Sequence, residues 1–291
     1  MNKQKDNIKI ADYWEKQENN IVKCGLCPHY CIIKNNHRGK CGVRLNNNGT
    51  LIATSYGCVT SVALDPIEKK PLYYFHPGKN IVSIGSYGCN LKCQFCQNYR
   101  ISIEYKYIKT DQFSPELVSE IALLAVKDGN IGVAYTYNEP LIGYEFVKDC
   151  SILIRKEGLA NVLVTNGYIN KEPLEELLPY IDALNIDIKG SNNRTYNKLG
   201  GTYEPVKNTI KTANNFCHVE VTTLIIPNEN ENDVEEIAKW LSEINPSIPY
   251  HLSRFFPRYK YSEGAPTPPE LMYKLKNKAE MYLENVHLGN M

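Results

Sequence analysis

Seven of the ten cysteines in this 291-residue sequence fall into two groups whose spacing is typical of metal ligands. Cys89, Cys93 and Cys96 form a C-x3-C-x2-C run. Thiolates are soft ligands that suit iron–sulfur chemistry, and three of them hold three irons of a [4Fe–4S] cluster while the fourth iron stays open to another ligand. The alternative is half of a zinc knuckle that a distant Cys or His completes. The tight spacing favours the cluster.

The second group supplies four thiolates within 18 residues, namely Cys24, Cys27, Cys31 and Cys41. Four protein ligands make a closed site, which predicts a structural or electron-relay role rather than catalysis. The spacing does not separate a zinc ion from an auxiliary iron–sulfur cluster, and free thiols without metal are the remaining alternative. We interpret His29 and His37, which lie within this group, as ordinary surface residues.

The other three cysteines, Cys58, Cys150 and Cys217, are isolated and are expected to be buried apolar residues. Clustered cysteines without a signal peptide indicate a reducing compartment, so we expect a cytoplasmic protein. The net charge of +1 argues against nucleic-acid binding through bulk electrostatics. No apolar run approaches the length of a membrane span, so we expect no membrane partner.

The elements that must position the cysteines begin with an alternation of strands and helices from residue 81 onward. The predicted strands are residues 81–88, 131–137, 161–165, 182–188, 217–226 and 249–255, with a brief strand at 287–289. Helical segments separate them, and Ser114 is predicted to cap the first long one. This rhythm predicts βαβ units around a parallel sheet, as a partial barrel or an open doubly wound sheet.

The remaining N-terminal part has weaker patterns. Residues 1–22 predict a short polar helix with Ile10, Tyr13 and Trp14 as its apolar stripe. We therefore divide the chain into a cysteine-rich metal-binding region at residues 1–80 and a core domain at residues 81–291.

Polar motifs follow the predicted strands at the point where each strand ends. YNEP, TNGY, DIKG and RFFP place Glu139, Asn166, Lys189 and Arg254 there. Carboxyl ends of parallel strands meet at one edge of a sheet or barrel, where active groups gather. We therefore expect these side chains near the three-cysteine loop, whereas Tyr135 and Tyr137 alternate along one strand, so that at least one is core.

The sequence resembles the AmmeMemoRadiSam-system radical S-adenosylmethionine (SAM) enzymes, which are relatives of the pyruvate formate-lyase activating enzymes. The resemblance rests on CGLCPHYC, DPIEKKPLYYFHPG, SIGSYGCNLKCQFCQN, YTYNEP, VTNGY, NIDIKG, VEVTTLIIP and HLSRFFPRYK, which occur in order. It implies an α/β fold whose core is a partial (β/α)6 barrel, similar to a TIM barrel, with an N-terminal cysteine-rich metal-binding extension. Many family members carry a further C-x2-C-like motif near the C-terminus, and none follows His287 in this sequence.

The resemblance also implies a function. The open iron of the cluster binds the amino and carboxylate groups of SAM, and an electron from the cluster cleaves the C5′–S bond. The resulting 5′-deoxyadenosyl radical abstracts hydrogen from a substrate that the sequence does not identify. The expected electron donor is a protein such as flavodoxin or ferredoxin.

The same resemblance assigns the cofactor-binding residues, with the cluster itself as the catalytic group. Glu139 is expected to bind the methionine ammonium group. The other residues expected to contact SAM or to line its site are Phe95, Thr165, Asn166, Asp187, Lys189, His251 and Arg254. A salt bridge within the barrel is the alternative for Lys189, and a structural role is the alternative for His251 and for Arg254.

Two other functions remain open. The first is activation of a glycyl-radical enzyme, which is the same chemistry directed at the backbone of a partner protein. The second is a metal-stabilised binding module without catalysis, which would leave the strand-end motifs incidental. Iron and sulfide analysis separates the second from the others, because a pure zinc protein is colourless.

Overall fold

Short antiparallel strands gather the N-terminal cysteines into a small folded unit. The computed structural model describes residues 8–291. The first five strands are β1 (Trp14–Lys16), β2 (Val22–Cys24), β3 (Ile32–Ile33), β4 (Arg44–Asn47) and β5 (Thr50–Ala53). β1, β2 and β3 form one sheet, and β4 and β5 form a hairpin. Cys24 ends β2, Cys27 and Cys31 lie between β2 and β3, and Cys41 lies between β3 and β4.

The helix predicted for residues 1–22 is wrong over its described part, residues 8–22, and residues 1–7 lie outside the described residues. Trp14 pairs with Cys24 across β1 and β2, and Tyr13 adopts a φ of +57°. The only helical residues are a single 3-10 turn, Glu18–Asn20. Isolated helices this short are marginal in water, so pairing with a neighbouring strand outweighs the local preference.

An eight-stranded sheet forms the rest of the framework. Its strands are β7 (Ser61–Pro66), β8 (Asn80–Gly85), β10 (Asn130–Thr136), β11 (Ala160–Thr165), β12 (Ala183–Asp187), β13 (His218–Ile225), β14 (Tyr250–Arg254) and β15 (Val286–Gly289), and a small separate pair joins β6 (Cys58–Val59) to β9 (Asp111–Gln112). The order is β15-β14-β13-β12-β11-β10-β8-β7, and every pair is parallel except β7 with β8. The predicted α/β fold with a central parallel sheet is therefore confirmed.

Helices follow the strands and pack against them. They are α1 (Tyr99–Ser102), α2 (Pro115–Leu124), α3 (Tyr144–Lys156), α4 (Lys171–Leu177), α5 (Asn193–Lys198), α6 (Glu204–Ala213), α7 (Asp233–Ile244) and α8 (Pro269–Ala279). α2 contacts β10, α3 contacts β11, and α8 contacts β14 and β15. The predicted cap is confirmed, because the Ser114 side chain accepts a hydrogen bond from the Leu117 amide.

The strand ends fall at one edge, as the alternation predicts. Thr136 pairs with Gly85, Thr165 with Ile186 and Asp187 with Thr222 in register, so the loops that follow these strands share one end of the sheet. Within residues 8–291 no strand joins β15 to β7, and the barrel is open between these two edges. β7 belongs to this sheet although it precedes residue 81, and the division at residue 80 stays a prediction.

The isolated cysteines differ in burial. Cys150 is fully buried in the core, as expected, whereas Cys58 and Cys217 are only partly buried. No helix within the described part of the chain is both long enough and apolar enough to cross a membrane.

Candidate active site

The three-cysteine loop follows β8 and lines a cavity of about 690 Å³ at the shared strand end. Cys89, Cys93 and Cys96 all contribute to its wall. The amide of Leu91 donates to the Cys89 sulfur at 3.3 Å, and the amide of Asn98 lowers the pKa of the Cys96 thiol that it faces. Amide donors of this kind stabilise a thiolate, so the loop is built to hold three anionic sulfurs.

Burial acts against these thiolates. It raises the pKa of Cys93 to about 11 and that of Cys89 well above its usual range, and the neighbouring thiols raise both further. Burial also raises the pKa of Cys96, and the Lys189 ammonium group opposes the rise at both Cys93 and Cys96. A cationic metal group would stabilise the thiolates far more than one lysine does.

Glu139 joins the ends of two neighbouring strands. Its Oε1 accepts hydrogen bonds from the Thr165 hydroxyl at 2.6 Å and the Leu141 amide at 3.0 Å, and its Oε2 accepts one from the Asn166 amide at 2.8 Å. Burial raises the pKa of this carboxyl group to about 7, although these donors oppose the shift. The carboxylate lines the cavity with remaining lone pairs, which suits a cationic ligand group.

Asn166 links this carboxylate to the cysteine loop. Its side-chain amide donates to Asn90 Oδ1 at 2.9 Å and lies 3.6 Å from the Cys89 sulfur. Its Oδ1 accepts from the Tyr168 amide at 2.8 Å. Thr165 and Asn166 both line the cavity, but their polar atoms already have these protein partners.

Asp187 and Lys189 lie at the end of β12 and form an ion pair of 2.7 Å. Burial lowers the pKa of Lys189, but the Asp187 carboxylate outweighs it and holds that pKa above its usual range. Both side chains line the cavity. The barrel salt bridge and the cavity contact, which the sequence poses as alternatives for Lys189, therefore occur together.

Phe95 and His251 also line the cavity. His251 lies on β14, and its Nε2 is 2.6 Å from Glu220 Oε2. Glu220 is fully buried and also accepts hydrogen bonds from the amides of Tyr73 and Tyr74, at 3.0 and 2.8 Å. His251 is thus anchored on one nitrogen, which leaves Nδ1 for a ligand.

The structure does not place Arg254 with the other predicted residues. Its Nε donates to the Thr267 carbonyl at 2.7 Å, its guanidinium lies over the Phe256 ring, and it is outside the cavity wall. The expected cofactor contact of Arg254 stays a prediction, and the contacts described here are those of the structural alternative. Tyr135 on β10 is core and donates a hydrogen bond to Asn161, whereas Tyr137, the residue after β10, lines the cavity.

The four N-terminal cysteines form a second, enclosed group. Cys24 and Cys41 are buried, and Cys27 and Cys31 are partly buried. Burial is the main reason that the pKa of Cys27 rises to about 12. The amides of Leu26 and His29 lower the pKa of the thiols two residues before them, and the Lys40 amide lies 3.5 Å from the Cys31 sulfur.

A buried ion pair joins this unit to helix α3. Arg44 and Glu145 are each 1% exposed and form a contact of 2.8 Å. Arg44 also donates to the Asp12 carbonyl at 3.0 Å, and it opposes part of the rise in pKa that burial causes at Cys24 and Cys41. Among the described residues, Arg44 Nε and Glu145 Oε2 are the buried side-chain atoms without a hydrogen-bond partner.

The two cysteine groups meet at Gly88, which immediately precedes Cys89. Gly88 has a φ of +87°, and a side-chain carbon there would lie 2.8 Å from the Cys41 carbonyl oxygen and 2.7 Å from Val43.

His29, which we expected at the surface, is half-buried and contacts the Asn90 carbonyl at 2.7 Å, whereas His37 is exposed as expected. Within residues 8–291 no three His, Cys, Asp or Glu side chains are arranged to hold a single metal ion.

The sequence motifs did not predict several residues that line the cavity. They are Lys69, Lys70, Tyr73, Asn185, Thr222, Ser253 and Asn290. The motif DPIEKKPLYYFHPG carries the first three, but its position before the first core strand gave no reason to place it at the strand ends. Glu220 did carry a signal, because a carboxylate in an otherwise apolar strand must find buried partners.

The donor set fits an iron–sulfur cluster with SAM beside it. Three thiols open onto one cavity, while a carboxylate, an ion pair and an imidazole line the same space. A cavity of this volume is in the usual range for a small-molecule site. The protein therefore offers soft ligands for iron and polar partners for an amino-acid cofactor within one enclosure.

Comparisons with known proteins agree with this site. Residues 83–241 match the model of the Radical SAM superfamily. The chain is 44% identical over 289 residues to an uncharacterized protein of Methanocaldococcus jannaschii, which covers 97% of this chain and 85% of the relative. It is 28% identical over 225 residues to a putative glycyl-radical enzyme activating enzyme of the same organism, covering 72% and 89% of the two chains.

The fold is also found in solved structures. The crystal structure of Streptococcus suis SuiB bound to precursor peptide SuiA superposes with a TM-score of 0.54 at 15% identity, covering 70% of this chain and 47% of that one. At this identity the likeness concerns the fold alone. It agrees with the predicted open barrel core.

Proposed function

This chain belongs to the radical SAM superfamily, and we propose that it cleaves SAM at a [4Fe–4S] cluster held by Cys89, Cys93 and Cys96. The single observation that supports this most is that the three thiols line the same cavity as Glu139. When bound, the cluster and SAM supply a 5′-deoxyadenosyl radical that abstracts hydrogen from a substrate. The family implies this cofactor pair, and the residue assignments are our proposal.

The remaining roles follow from charge and position. Glu139 binds the methionine ammonium group, because its carboxylate lines the cavity and a charge-assisted hydrogen bond satisfies its free lone pairs. Lys189 balances part of the negative charge of the Cys93 and Cys96 sulfurs. Asp187 holds Lys189 in that position through the 2.7 Å ion pair.

Other side chains shape the cofactor site through hydrogen bonds and apolar contact. Asn166 and Thr165 fix the Glu139 carboxylate and tie it to the cysteine loop. Phe95 provides an apolar surface between Cys93 and Cys96, which suits the adenine ring. His251 lines the cavity while Glu220 holds its Nε2.

We also propose that Cys24, Cys27, Cys31 and Cys41 hold a second metal centre, either a zinc ion or an auxiliary iron–sulfur cluster. Amides that face the sulfurs and the buried Arg44 guanidinium support four thiolates at this place. A free, fully buried thiol group would not need a buried cation beside it. A structural or electron-relay role fits the contact between Cys41 and Gly88.

The finer proposals differ in the kind of substrate on which the protein acts. Membership in the AmmeMemoRadiSam system and reduction by a flavodoxin or ferredoxin are predictions from the motifs. Activation of a glycyl-radical enzyme is the second candidate, and similarity to the putative activating enzyme of Methanocaldococcus jannaschii favours it. An activating enzyme must admit a peptide loop of its partner, and it leaves a glycyl radical signal there.

Anaerobic reconstitution tests the main proposal. We expect the brown protein to contain iron and sulfide and to form 5′-deoxyadenosine from SAM under a chemical reductant. Cys93→Ala is expected to lower this rate to background, at least about a thousandfold, because the cluster loses one of three ligands. The matched control is Cys58→Ser, a partly buried cysteine outside both groups, which should cleave SAM as fast as the unmodified protein. Full cleavage by Cys93→Ala would contradict the proposal.

A further inference from the structure

A set of charged side chains that the cofactor does not use lines the same cavity. Lys69 and Lys70 follow β7 at one open edge of the barrel, and Tyr137 follows β10. All three meet at Asp65, the fifth residue of β7. The contacts of this set decide what charge the cavity presents to a ligand.

Three donors occupy the Asp65 carboxylate. Lys70 Nζ and the Tyr137 hydroxyl both donate to Oδ2 at 2.8 Å, and Lys69 Nζ donates to Oδ1 at 3.3 Å. Burial would raise the pKa of Asp65, but these hydrogen bonds outweigh it and hold the pKa below its usual range. The carboxylate is therefore ionised and turned toward its own lysines.

Lys70 keeps unused hydrogen-bonding capacity. Its side chain is 3% exposed, and its ammonium group lies 4.8 Å from the centre of the Tyr137 ring. An ammonium group has three N–H donors, and Asp65 takes one of them. Burial lowers the pKa of Lys70, although Asp65 opposes this shift, so an additional anion would relieve a buried cation.

The formal charges of this set balance, so the unused N–H donors of the lysines decide what it can bind. Two ammonium groups share one carboxylate, and Lys69 remains 66% exposed at its side chain. Glu68 also lines the cavity, but its Oε1 accepts a hydrogen bond from the Gly78 amide at 2.6 Å. Asp187 is already paired with Lys189. Glu68 keeps its negative charge, so Lys69 and Lys70 offer an anion unused N–H donors rather than an excess of positive charge.

A strained backbone places Tyr137 under Lys70. Tyr137 has a φ of +70°, a strained conformation for a tyrosine, and such residues gather at functional sites. Its carbonyl accepts a hydrogen bond from Asn98 of the cysteine loop at 2.8 Å, and its hydroxyl is held by Asp65. Gly85 makes room, since a side-chain carbon there would lie 2.8 Å from the Tyr137 ring.

We propose that Lys69 and Lys70, seated on Asp65 and Tyr137, form a subsite for the oxyanion of a small-molecule substrate, a carboxylate or a phosphate. This inference rests on the proposed function and names its substrate class. A compact ammonium group binds phosphate and carboxylate through charge-assisted hydrogen bonds. Through Asn98, Tyr137 connects the bound anion to the loop that carries the cluster, which places the substrate beside the cofactor.

Anion binding to the reconstituted protein with saturating SAM tests the subsite. We expect inorganic phosphate or acetate to bind saturably by calorimetry, and the tighter of the two indicates the substrate group. Lys70→Met should weaken binding about tenfold or more, because it removes a hydrogen bond to a charged group. Lys70→Arg should keep most of the affinity. Lys79→Met, an exposed lysine of the same segment outside the cavity, is the matched control and should bind normally.

The opposite change gives the sharpest result. Asp65→Asn removes the competing carboxylate, so binding should become tighter by about threefold or more. If Asp65 and Lys70 were only structural, both substitutions would weaken binding together. Weaker binding in both variants would overturn the subsite. Unchanged binding in Lys70→Met, or competition between the anion and SAM, would also overturn it.

Failure of the subsite and failure of the proposed function are distinguishable on the same preparations. The rate of SAM cleavage without substrate depends on the cluster and not on Lys70. Cleavage without anion binding would reject the subsite and leave the proposed function intact. If the protein binds the anion through Lys70 but does not cleave SAM, the proposed function is rejected and the subsite stands.

Discussion

The four-cysteine unit and the three-cysteine loop lie side by side but differ in what surrounds their sulfurs. In the unit, Cys24 and Cys41 are buried, and Arg44 opposes part of the rise in pKa that burial causes at both. In the loop, all three thiols open onto the cavity. One residue type therefore forms an enclosed group and an open group within 75 residues of sequence.

The difference teaches that the environment decides what a cysteine group is suited to do. An enclosed set of four sulfurs leaves no room for a substrate, which suits a structural or electron-relay centre. An open set of three leaves one side for an exogenous ligand. Gly88 joins the two, because the Cys41 carbonyl packs directly against it.

The largest expected effect is the loss of one metal centre while the other stays. We expect Cys27→Ser to remove the metal of the four-cysteine unit, either one zinc ion or about four irons, while the three-cysteine cluster stays. Metal and sulfide analysis of the purified variant measures this and identifies the metal. Loss of both centres would show that the two groups form one site and would break the comparison.

Removal of the buried cation is the next largest change. Arg44→Met should lower the free energy of unfolding by about 3–5 kcal/mol, because Glu145 becomes an uncompensated buried charge. Urea unfolding of the reconstituted protein measures it. The double variant Arg44→Met, Glu145→Met should recover most of that loss, and an equal loss in both variants would contradict the assigned role of the ion pair.

The smallest expected effect concerns the contact between the groups. Gly88→Ala should destabilise the protein by about 1–3 kcal/mol, because φ is +87° and the new methyl group meets the Cys41 carbonyl. The control is Gly78→Ala, which has a similar φ of +77° but no atom within 4 Å of the added carbon. Equal thermal midpoints for the two variants would show that strain alone matters and that the groups are not packed together.

Much of the fold follows from local patterns. The strand rhythm predicts β8 and the five strands β10–β14, because alternating apolar runs and amphipathic helices bury their surfaces only as βαβ units. The same rhythm predicts that Glu139, Asn166 and Lys189 meet the cysteine loop. The helix expected at residues 1–22 is wrong over residues 8–22, the part that the structure describes, because a stretch that short takes its structure from the strand beside it.

The sequence by itself determined the two sets of thiols, since a few residues of spacing hold each set together whatever the rest of the chain does. Only the tertiary structure decided their surroundings. Arg44 meets Glu145 across 101 residues, and Tyr137 meets Asp65 across 72. Such pairs depend on how strands and helices pack, and no local period encodes them. For the same reason Arg254, at the expected strand end, turns away from the cavity that Lys70 enters.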